Sequence, residues 1–151
     1  MKLLDANVFL RLAVEPKTDR DVTFNQLARE LLDAAQRGED EFTTSEAVIA
    51  EVLFVLTSKS LYGFSRKNAY SSMSGILQMP ACHLENRSAV LAALEVWVTV
   101  PKLSFVDALC LTKAKEQGHD LVTFDTALAR AAGTERWDLR STDDATNVEM
   151  P

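Results

Sequence analysis

Four acids, Asp5, Glu51, Asp107 and Asp125, stand in apolar or small-residue surroundings and not in charged runs. Asp5 closes the apolar pair Leu3-Leu4, and Asp125 closes Leu121-Val122-Thr123-Phe124, so each falls at the carboxyl end of a strand-like stretch. Open α/β sheets bind their ligands at that rim. Glu51 is the one polar residue between Ala47 and Leu56, and an ionised carboxylate there must protonate, meet a cation or reach water. Asp107 lies in the first turn of a helix predicted to begin at Ser104. Four carboxylates brought together would repel one another, and a hard divalent cation bound through oxygen is the usual remedy. Magnesium or manganese suits that donor set. Zinc does not, because His83 and His119 are not ligand-spaced with each other or with Cys82 and Cys110.

Three of the four acids also have a plain structural reading. Asp is a preferred helix N-cap, which covers Asp5 and Asp125, and Ser104-x-x-Asp107 has the spacing of a capping box. Glu46 is set aside as a ligand. Five helical residues turn its side chain by roughly 500°, about 140° away from the face of Glu51, so it is expected to cap the helix start.

The elements that must position these groups follow from punctuation and period. Leu3-Leu4 reads as a strand running straight into a helix from Val8 to Ala13, and Leu27, Leu31, Leu32 and Ala35 recur at helical spacing until Gly38. Glu41 to Thr44 is a second short strand, Ala47 to Leu56 a buried helix, and Ser65 opens a helix closed by Pro80. Ala81 to Leu84 is a third strand. Helices over Arg87–Val98 and from Ser104 to Gly118 follow, then a strand at Leu121–Phe124 and a helix from Thr126 to Gly133. This alternation predicts a parallel α/β sheet with right-handed crossovers, in one domain over residues 1–135 with a partly mobile tail over 136–151.

These residues carry a family resemblance. Leu4-Asp5-Ala6-Asn7-Val8-Phe9-Leu10-Arg11, Ser45-Glu46-Ala47-Val48-Ile49-Ala50-Glu51-Val52, Phe105-Val106-Asp107-Ala108-Leu109 and Leu121-Val122-Thr123-Phe124-Asp125 resemble, in order, the four acidic motifs of PIN-domain ribonucleases. The likeness is to VapC-type toxins of toxin-antitoxin systems, and it spans about residues 1 to 135. It implies a three-layer α/β/α fold with a short parallel central sheet. It also implies that Asp5, Glu51, Asp107 and Asp125 are the catalytic, metal-binding acids, with Asn7 supporting the first and Thr123 the hydroxyl before the last. Ala6 departs from the pattern where Thr is frequent, and so do Ala127 and Leu128 after Asp125. The activity implied is Mg²⁺- or Mn²⁺-dependent RNA hydrolysis that leaves a 5′-phosphate and a 3′-hydroxyl. The implied partners are RNA, a cognate VapB-like antitoxin and a second copy in a homodimer. The competing reading keeps the fold as a catalytically inactive PIN-like binding or assembly domain.

Composition limits the remaining choices. The 151 residues carry 22 acids against 16 Lys and Arg, a formal charge of −6, which opposes broad adhesion to nucleic acid or anionic lipid. RNA must then be held by local bases, for which Arg11, Lys17, Arg20, Arg66, Lys67 and Arg130 are candidates. Trp97 and Trp137 read as core or dimer packing before stacking platforms. Two distant cysteines, no ~20-residue apolar run and no leader predict a reduced, cytoplasmic protein without a membrane segment. A phosphoacceptor receiver domain would need adjacent acids after the first strand and a late Lys. An aspartyl phosphatase would need D-x-D, where Asn7 stands.

Overall fold

A computed structural model describes residues 1–134. The predicted tail over 136–151, Trp137 within it and the last residue of the predicted domain lie outside the described residues. Within them, β1 (Lys2–Leu3), β2 (Phe42–Thr43) and β3 (Cys82–His83) form one parallel sheet in the order β1-β2-β3, with Lys2 opposite Phe42 and Phe42 opposite Cys82. Parallel neighbours require crossovers, and here each crossover is two helices. Helices α1 (Ala6–Ala13) and α2 (Asp19–Gln36) join β1 to β2, while α3 (Glu46–Thr57) and α4 (Arg66–Gln78) join β2 to β3. Three more helices complete the chain: α5 (Arg87–Thr99), α6 (Phe105–Gln117) and α7 (Thr126–Ala132). The short parallel sheet flanked by helices is a three-layer α/β/α arrangement, as the sequence predicts.

Local chemistry sets the boundaries. Thr18 and Asp21 form a reciprocal capping box at α2, Ser45 caps α3 and Ser65 caps α4, each hydroxyl accepting a backbone N–H three residues on. Gly118 and Gly133 end α6 and α7 at positive φ, where a side chain would be strained. The main core gathers Phe9 of α1, Phe42 of β2, Ile49, Leu53 and Leu56 of α3, Met73 and Leu77 of α4, and Leu94 of α5, all fully buried. A smaller cluster of Leu103, Leu111 and Leu128 anchors α7, with Leu121 against it.

The predicted strand at Leu121–Phe124 is not formed; the segment is irregular, with Val122 and Phe124 exposed. Its hydrogen-bonding is local. The Asp125 N–H donates to Thr123 Oγ1 at 3.0 Å, so a turn made by the side chain takes a donor that a strand ladder would use.

Candidate functional site

Each acid is placed by the element it starts or interrupts. Asp5 follows β1 and caps α1, accepting the Val8 N–H on Oδ1 at 3.3 Å, while Asn7 Nδ2 donates to Oδ2 at 3.5 Å. Asp125 caps α7 by accepting the Leu128 N–H on Oδ1 at 2.7 Å. Asp107 closes the capping box of α6, where Oδ2 accepts both the Ser104 N–H at 2.9 Å and the Ser104 hydroxyl at 2.7 Å. Glu51 lies at the middle of α3 and is exposed, the third of the outcomes open to a carboxylate in so apolar a helix. Its helix packs against both α1 and α6, so the element bearing Glu51 adjoins those that Asp5 and Asp107 begin.

By donor type this set suits a hard divalent ion: carboxylate oxygens, with no histidine or thiol among them. By placement it is not closed. Among the described residues no group of three or more His, Cys, Asp or Glu is positioned to hold one metal ion. Three of the acids spend an oxygen on a helix terminus, which fixes the carboxylates but directs part of their acceptor capacity at backbone N–H groups.

The basic residues divide sharply. Arg66, half-buried, donates from one nitrogen to the carbonyls of Trp97 (2.7 Å), Val100 (3.3 Å) and Leu103 (2.7 Å) and lies over the Trp97 ring. Arg66 thus satisfies the carbonyl end of α5 and is corrected from an RNA contact to a structural lock; burial lowers its pKa. Arg11 pairs with Asp21 and lies over Phe24, with Arg20 over the same ring. The Thr18 hydroxyl first, with Arg11 adding to it, holds the Asp21 carboxyl below its ordinary value. Lys17, Arg20, Lys67 and Arg130 remain exposed. Trp97 is buried in the main core, on the packing side of its two predicted alternatives.

Glu46 does not cap α3, since Ser45 does. Its carboxylate instead takes Lys113 Nζ of α6 on both oxygens, at 3.1 and 3.0 Å, and Asn86 Nδ2 at 3.3 Å. Nothing in the spacing links these three. The separation of 67 residues between Glu46 and Lys113 is closed only by the packing of the helices.

With the geometry in place, the comparison with known families is decisive over most of the chain, because the PIN domain profile matches residues 2–134. The chain belongs to the PIN domain family. No curated protein matches it. PIN domains are generally nucleases that use divalent metals such as Mg²⁺ and act on nucleic acid. In this PIN domain the matched region takes in all four acids, both supporting positions and the whole described sheet. No described helix of the PIN domain is long and apolar enough to cross a membrane.

Proposed function

We propose that this protein is a metal-dependent endoribonuclease and the toxin of a VapBC-type pair, working in the cytoplasm as a homodimer and silenced by a VapB-like antitoxin. The single observation that carries the reading is the family match over residues 2–134, a span that holds the four segments resembling the family's acidic motifs. Asp5, Glu51, Asp107 and Asp125 would hold Mg²⁺ or Mn²⁺; when bound, the ion acidifies a water and neutralises charge on the phosphate under attack. The protein's own contribution is positional. Asn7 restrains the Asp5 carboxylate, Thr123 restrains the backbone at Asp125, and the α6 capping box fixes the Asp107 side chain. The catalytic unit is residues 1–135.

Incubation of the purified chain with total RNA and Mg²⁺ or Mn²⁺ tests this. New 5′ ends should appear at defined positions, vanish with EDTA and be absent for Asp5→Asn. Identical end profiles from wild type and Asp5→Asn would reject the ribonuclease reading. The second reading, a PIN-like binding or assembly domain without catalysis, is favoured by one observation: no three described acids converge on an ion site. Calorimetric titration separates the two, since Mn²⁺ must bind the wild type for the first and leave it untouched for the second.

A further inference from the structure

At the carboxyl ends of β2 and β3 lies a cleft of about 430 Å³ whose lining includes none of the four acids. The Thr44 hydroxyl, on its wall, donates to the Leu4 carbonyl at 2.9 Å, which ties the cleft to the residue preceding Asp5. Its size is in the range of about 300–1,000 Å³ typical of small-ligand pockets. Its floor holds the Glu46 carboxylate, gripped by Lys113 and Asn86 from two other helices. Asn86 is the only non-glycine residue at positive φ among the described residues, φ 52°, an uncommon backbone retained at the lip of this cavity.

We propose that this cleft is a nucleobase subsite for the RNA substrate, with Glu46 and Lys113 as specificity-determining residues for guanine. The proposal rests on the ribonuclease reading for its biological use, though not for its chemistry. Bases of single-stranded RNA are read by hydrogen bonds to their Watson–Crick edges. A carboxylate takes two parallel N–H donors well, as it does from arginine, and guanine alone among the four bases presents two adjacent N–H donors next to a carbonyl acceptor. The two oxygens of Glu46 have four acceptor positions and three are engaged. Guanine N1–H and N2–H take the paired position across the two oxygens that Lys113 Nζ now bridges, and the displaced ammonium donates to O6. Uracil and cytosine lack the paired donors, and adenine lacks the carbonyl.

The test is an NMR titration of the isotope-labelled full chain, in EDTA, with each of the four ribonucleoside 5′-monophosphates. Guanosine monophosphate should shift the amides of Thr44 to Glu46 and Glu85 to Arg87 saturably and bind at least fivefold tighter than the other three. Glu46→Gln should weaken it about tenfold. Both partners of the ion pair are about one-third exposed, at 32% and 29%, so neither substitution strands a buried charge. If Glu46→Gln fails to fold, Lys113→Gln asks the same question, with selectivity over adenosine monophosphate lost. No shifts at the cleft, equal binding of all four nucleotides, or unchanged affinity in both variants would overturn the subsite. Guanosine monophosphate binding by a protein that cuts no RNA supports the subsite and removes the nuclease reading. Metal-dependent cleavage without cleft shifts overturns the subsite alone.

Discussion

At the scale of single residues, the acids have two separable duties. Asn caps a helix about as well as Asp, so Asp5→Asn and Asp125→Asn should unfold in urea within about 0.5 kcal/mol of wild type while losing Mn²⁺ affinity. Asp5→Ala adds the loss of the cap, roughly 1 kcal/mol. A stability loss as large for Asn as for Ala would mean that the capping account is wrong. Asp21 gives a pH signature. Its folded-state pKa is lowered, so its contribution is present above the unfolded value and disappears as pH falls through the folded one. The stability gap between wild type and Asp21→Asn should therefore be flat from neutral pH to about pH 5 and close below about pH 3.9. Urea midpoints across that range check it. The two thiols also differ: Cys82 is buried, and burial raises its pKa, whereas Cys110 is exposed. A disulfide-exchange reagent should titrate one thiol quickly in the native protein and the second only on unfolding.

At the scale of elements, what the sequence revealed depended on how local the cause was. Helix starts at Ser65 and Ser104 are read within four residues, and the capping box of Ser104 and Asp107 forms as its spacing predicts. The apolar pattern of Leu121–Phe124 predicts a strand, yet a strand needs a partner edge, and a hydroxyl two residues before Asp125 offers its N–H a nearer acceptor. Arg66 and Glu46 escaped for the opposite reason. Their partners, 31 to 37 and 40 to 67 positions away, are set by packing alone. Arg66→Met should consequently cost about 2–3 kcal/mol, because charge-assisted bonds to the end of α5 are lost and its carbonyls are left without that donor. A urea midpoint unchanged from wild type would contradict that role.

Across the whole molecule, the fold separates into a main core and a small cluster that holds α7. The acids are distributed over both, with Asp5 and Glu51 on elements of the first and Asp125 on the helix anchored by the second. A divalent ion that binds the folded chain alone must raise its stability, by about 2.7 kcal/mol at one hundred times the dissociation constant. Melting with and without Mn²⁺, repeated on Asp5→Asn, checks this, and an equal shift in both proteins would assign the ion elsewhere.

Three strands of two residues each stand against helices of up to 18 residues. Far-ultraviolet circular dichroism of this α/β protein should therefore look like that of an all-helical one, blind to whether the strand ends that seat Asp5 are in register. The Trp97 indole, buried in the main core, should report that order through its near-ultraviolet band instead.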